Sequence, residues 1–153
     1  MARLSLPQDC KLVTATAGPV TTNGGVTCDY VSLKNVIRAW IVLQFTQAVG
    51  HATAIQPQKA TAVAPTGAAS ITNVVRVWAD EDTGASDALV AQTDATSYTV
   101  AADIKKKMVV IEIDPIDLGG DHDVLGCTIA NSGQATNFVS GLYILQMGYR
   151  RAT

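Results

Sequence analysis

The stretch IRAWIVLQFTQ, residues 37–47, decides the fold. Ile37, Ala39, Ile41, Leu43 and Phe45 fall on one side of an extended chain; Arg38, Trp40, Val42, Gln44 and Thr46 fall on the other. Successive side chains of a β-strand point to opposite faces, so a wholly apolar alternate set marks a strand with one face in a core. A helix, with its period of about 3.6 residues, would scatter those five side chains around its circumference. Trp40 and Val42 break the polar set, and the second face is therefore expected to be partly covered as well.

The chain on either side reads in the same way. Residues 26–33 precede a Lys34-Asn35 turn, which predicts a hairpin with the 37–47 strand. Residues 52–64 are rich in Ala and Thr and carry Pro57, which lacks an N–H for a ladder and predicts an edge strand or a bulge. Residues 71–79 place Ile71, Val75, Val77 and Ala79 on one side, and a polar turn follows at 80–84. Short runs at 88–92 and 97–100 come next, then a short helix expected near 101–106. Residues 108–113 form an apolar strand ending at Asp114-Pro115, and residues 125–130 another, closed by Asn131-Ser132-Gly133. The last run, 138–149, sets Val139, Tyr143, Leu145, Met147 and Tyr149 against Phe138, Leu142 and Ile144.

Composition agrees. Val, Thr and Ala supply 56 residues, while Glu occurs twice, as Glu81 and Glu112, so β-branched material dominates and helix formers are few. Eight or nine strands punctuated by Gly, Asn, Asp and Pro predict an all-β fold, a two-sheet antiparallel sandwich of jelly-roll type. The 153 residues fit one domain. Within it, residues 1–25 are expected as an extended N-terminal arm or first strand, and residues 26–153 as the sandwich. The Gly, Thr and Pro content of the first segment cannot support a core of its own.

Several function classes are disfavoured. Lys and Arg number 11 against 13 Asp and Glu, leaving no basic excess to neutralise phosphates, so no nucleic-acid partner is expected. The run Lys105-Lys106-Lys107 reads as a solvated strand entrance. The longest purely apolar stretch, residues 39–43, is far short of the ~20 residues of a bilayer span, and the start lacks a secretory apolar region. Cys10, Cys28 and Cys127 are odd in number and widely spaced, so buried free thiols are expected rather than a disulfide framework or a zinc site. His51 and His122 are too few for a cupin-type metal centre.

The acidic run DPIDLGGDHD gathers Asp114, Asp117, Asp121, His122 and Asp123. Hard cations bind such oxygen clusters, but the Gly and Glu positions of an EF-hand loop are missing, and a solvated connection without metal is expected. No nucleophile elbow or phosphate loop occurs. Neither catalytic residues nor a cofactor is expected. Charged residues amount to 16%, against roughly a quarter in typical soluble domains, which points to a surface partly covered by partners.

Residues 29–35 (DYVSLKN) running into Ala39-Trp40-Ile41-Val42 resemble small virion proteins of tailed phages. So do Ile71-Thr72-Asn73 leading to Val77-Trp78-Ala79, then Ser86-Asp87-Ala88-Leu89-Val90, and Tyr143-Ile144-Leu145, the whole spanning residues 26–149. The resemblance implies a capsid decoration, or cement, protein: a β-sandwich, often oligomeric, on the outside of an icosahedral shell. The partners implied are the major capsid protein and further copies of the chain, as a dimer or trimer, with no membrane. The location implied is the capsid exterior after synthesis in the host cytoplasm. The ends of the chain are the expected contacts, Arg3, Leu4 and Leu6 at the start and Tyr149, Arg150 and Arg151 at the finish. An aromatic followed by two Arg suits an acidic neighbour. The alternative is a tail or fibre module that binds a host-surface glycan, with DPIDLGGDHD as its candidate pocket.

Overall fold

The computed structural model describes residues 5–149. A four-residue helix, α1 (Leu6–Asp9), leads into β1 (Cys10–Thr14), β2 (Val20–Thr21), β3 (Val26–Thr27), β4 (Val31–Ser32) and the long β5 (Val36–Thr46). There follow β6 (Thr53–Ala60), β7 (Ala69–Ser70), β8 (Arg76–Asp80), β9 (Val90–Ala91) and β10 (Tyr98–Val100). β11 (Lys106–Ile113), a 3-10 turn (Pro115–Leu118), β12 (Val124–Ile129) and β13 (Phe138–Met147) complete the described chain.

Two antiparallel sheets result. The larger has the order β1-β13-β5-β11-β8-β9, with β2 also on β13; the smaller has the order β10-β6-β12-β3, with β4 on β12 and β7 on β6. With β3 and β4 taken as one interrupted strand, the sheets reduce to β1-β13-β5-β11 and β10-β6-β12-β3, a jelly roll of eight strands. β8 and β9 are an insertion between β6 and β10 that widens the larger sheet. The expected all-β sandwich is therefore present, and residues 10–14 supply its first strand, paired along its length with β13.

The core lies between the sheets. Ala39, Ile41, Leu43 and Phe45 of β5 are at most 1% exposed and pack with Val109, Ile111, Tyr143, Leu145, Ile55 and Leu125. Ile37 shares their phase but sits at the strand entrance, outside the core and 54% exposed.

Four local expectations are corrected. Residues 26–33 do not form a hairpin with β5; β3 and β4 pair with β12 in the other sheet, through Thr27↔Thr128 and Val31↔Leu125. Asn35, at φ 64°, and the bond from Val36 N–H to the Leu33 carbonyl make a tight turn that carries the chain between sheets. Pro57 lies in an internal strand. Its carbonyl accepts from Ile71 N–H, so its missing donor faces the break between β10 and β7, where no ladder bond is needed. No helix forms at 101–106.

The fourth correction is Lys107, which is not solvated but 0% exposed. It shares the inward phase of Val109 and Ile111. Its ammonium reaches Glu81 Oε2 at 2.8 Å and the Ala101 carbonyl at 2.5 Å. Glu81 Oε1 accepts from the Tyr98 hydroxyl at 2.5 Å. Burial, and then the Glu81 hydrogen bond, hold the Tyr98 phenol far above its ordinary range.

Candidate interaction surfaces

The outward face of the larger sheet is built by the residues alternating with the core set. Strand register aligns Leu12, Ile144, Trp40, Glu112 and Arg76 in one row, and Thr14, Leu142, Val42, Val110 and Trp78 in the next. A third row holds Ser140, Gln44, Met108 and Asp80. An apolar stripe thus crosses five strands. Leu12 is 51% exposed, Trp78 37% and Leu142 36%, so the stripe is open. Two hollows of about 450 Å³ indent it on either side of Val42. One is floored by Trp40, Val110 and Ile144 under the α1 side chains Leu6 and Asp9; the other lies among Gln44, Met108 and Leu142 beside residues 14–18.

At one end of the stripe the charges satisfy one another. Trp40 Nε1–H donates to Glu112 Oε2 at 3.1 Å. Arg38 and Arg76 each reach Glu112 Oε1, at 3.5 and 3.6 Å, and Arg38 Nε–H donates to Asp114 Oδ1 at 2.9 Å. The Asp114 hydrogen bond, with the nearby carboxylate charges, holds the Arg38 guanidinium still more firmly protonated. Two guanidinium groups and two carboxylates leave that end neutral.

The outward face of the smaller sheet is unlike this. Gln58 Nε2 donates to Ser70 Oγ and toward Thr128 Oγ1, and Gln56 Nε2 donates to the Thr96 carbonyl. Tyr30 lies across Gly126, where an added Cβ would stand 2.4 Å from the ring. That face is polar, with its side chains bonded within the chain.

Of the residues expected to bind a partner, Arg3, Leu4, Arg150 and Arg151 lie outside the described residues. Leu6 and Tyr149 are described, and the fold brings them to one pole. β1 and β13 run antiparallel with Cys10 opposite Gln146, so the start of one and the finish of the other share an end of the sheet. Gly148 N–H donates to the Asn35 carbonyl, tying that end to the entrance of β5. Leu6 is 44% exposed and Tyr149 58%; Ile37 joins them there, and so does Ile116, 81% exposed, on the 3-10 turn packed against β5. Sequence reasoning passed over Ile37 and Ile116 as contact residues. Ile116 and Leu118 are the two large apolar residues of the acidic connection, and the fold buries Leu118 while leaving Ile116 out.

The acidic run is occupied by local structure. Asp114 and Asp117 form a capping box on the 3-10 turn, with Asp114 N–H donating to Asp117 Oδ2 at 2.8 Å, and Asp114 also holds Arg38. Among the described residues no group of three or more His, Cys, Asp and Glu is arranged to hold a metal ion. The three cysteines are free and buried. Cys28 and Cys127 share a hydrogen bond that lowers the Cys28 thiol and, with burial, raises that of Cys127.

No protein-family description matches the chain, and no curated protein matches it. The structure of the infectious bursal disease virus Gt strain aligns at 14% identity over 90% of this chain and 36% of that one, with a TM-score of 0.25, too low to speak for a common fold. The crystal structure of the SPBc2 prophage-derived protein YomS aligns at 9% identity and a TM-score of 0.50, covering 90% of this chain and 92% of that one. What the chain shares with this prophage-derived protein is therefore its fold, over nearly the whole of both.

Proposed function

We propose that the protein is a structural subunit of a phage virion that binds the outside of the capsid and stabilises contacts between major capsid subunits. The observation that carries this reading is the pole where Leu6, Ile37, Ile116 and Tyr149 stand exposed around the Arg38–Asp114 pair. A rigid sandwich with an apolar, ion-paired foot is built to add buried area between neighbours without chemistry. The fold shared with a prophage-derived protein supports the same reading. Shells loaded with packaged DNA are stressed at the contacts between capsomers, and a bridge across them needs a buried area of about 1,600 Å² to hold. Several copies acting together raise occupancy further.

The test is a pull-down on undecorated capsids of the encoding phage, with circular dichroism as the folding control. Wild type is expected to bind. Deletion of residues 1–9, or the joint change Tyr149→Ala, Arg150→Ala and Arg151→Ala, should leave the sandwich folded and weaken binding. Variants that bind as wild type does would move the contact away from the pole. Failure of wild type to bind, with copies found at the tail of the native particle, would favour the glycan-binding alternative.

A further inference from the structure

We infer that the outward face of β1-β13-β5-β11-β8 is the surface through which two copies of this chain associate, sheet against sheet, about a two-fold axis near Val42. This inference does not rest on attachment to a capsid. It rests on three properties of the face.

The first is size. The strands lie about 4.8 Å apart; three are followed for the nine residues from Arg38 to Thr46 and the flanking β1 and β8 for five residues each, at about 3.3 Å per residue, or about 600 Å² in projection. Stable interfaces take about 800 Å² from each partner, and this face is of that order. Sheets stack face to face about 10 Å apart when their facing residues are apolar, as the middle rows here are.

The second is charge. Arg38, Arg76, Glu112 and Asp114 are paired among themselves, and Lys105 pairs with Asp82 at 3.1 Å. A partner of strong opposite charge would find these groups already engaged. An identical face meets little like-charge repulsion, the usual obstacle to self-association.

The third is geometry. A face that packs on its own copy closes at two, because the same patch is used up on both sides. The opposite face is polar and internally bonded, which leaves no second apolar sheet surface to propagate the contact. The structure therefore favours a closed dimer over a ring or fibre.

Sedimentation equilibrium of the full chain tests this. Wild type should sediment as two 16.0 kDa chains. Leu142→Lys places a charge in the middle row at a site already 36% exposed, so the fold should persist by circular dichroism. The dimer should dissociate at least ~100-fold more readily, since two unpaired charges are buried in each interface. Thr99→Lys, exposed on the smaller sheet, should dimerise as wild type does. A wild type that stays monomeric up to about 100 µM, well above the Kd of stable complexes, overturns the inference. So does a Leu142→Lys variant that remains dimeric. Capsid binding is measured apart, so a dimer that ignores capsids, or a monomer that binds them, separates the two readings.

Discussion

Removing Glu81 should trap a charge. Lys107 is 0% exposed and has two oxygen partners, Glu81 Oε2 at 2.8 Å and the Ala101 carbonyl at 2.5 Å. Glu81→Ala leaves the ammonium with the carbonyl alone and strips the Tyr98 hydroxyl of its acceptor. Breaking a buried ion pair from one side costs about 3–5 kcal/mol. The Glu81 side chain keeps 30% exposure, so water can reach the vacated position, and the lower figure of about 3 kcal/mol applies. For a domain of this size each kcal/mol moves Tm by about 2–4 °C, so the midpoint should fall by about 6–12 °C. The reverse variant, Lys107→Met, fills the same apolar space and leaves Glu81 free to turn to water. It should lie within about 1 kcal/mol of wild type, and the double variant should recover most of the Glu81→Ala loss. Urea unfolding followed by circular dichroism measures all three. A Glu81→Ala loss below about 1 kcal/mol, or a Lys107→Met loss as large, would show that the ammonium is not the trapped group.

Further outcomes follow from the same structure. Burial and nearby groups raise the Tyr98 and Tyr143 phenols above the ~10 of an unfolded chain. Their contribution is intact below that pH and is lost as pH rises above it, because the unfolded chain ionises first. Phenolate absorbance from these two should appear together with unfolding; its appearance in a folded protein would refute this. Gly126→Ala pushes a methyl into the Tyr30 ring and should cost about 1–3 kcal/mol. In a Tyr30→Ala background the same change should cost almost nothing, and an undiminished cost would place the clash elsewhere. Cys28 and Cys127, 2% and 0% exposed, should resist alkylation in the native protein, with three thiols appearing on unfolding. A Cys10–Cys28 or Cys28–Cys127 bridge found by non-reducing mass spectrometry would contradict that.

The sandwich was legible because its core residues alternate without interruption in β5 and β11, and a period of two has one physical meaning. Lys107 was misread because it ends a run of three lysines. Its inward phase with Val109, Ile111 and Ile113 was the better guide, since position in the pleat outranks residue type once a partner such as Glu81 exists. The misplaced hairpin has another cause. Lys34-Asn35 is good turn chemistry, but a tight turn can send the chain across a sandwich as readily as back along one sheet. Which occurs depends on pairing with β12, about a hundred residues away in sequence. The meeting of Leu6 and Tyr149 at one pole is hidden for the same reason. It follows from Cys10 facing Gln146, and no local pattern encodes that. The open stripe was half visible, in Trp40 and Val42 interrupting a polar set, although its width needed the strand order.

The pairing of β1 with β13 also sets a schedule for the chain as it leaves the ribosome. β1 is made before the other strands of the sandwich, and the strand that covers it is the last of them. At about 5–20 residues per second, the wait is on the order of ten seconds. During that time Leu12 and Val13 belong to an unpartnered strand, the kind of segment that seeks edges on other nascent chains. Lys11, beside them, supplies a charge that discourages such pairing. The larger sheet therefore cannot be completed before β13 has been made. It closes when the final strand takes its place between β1 and β5.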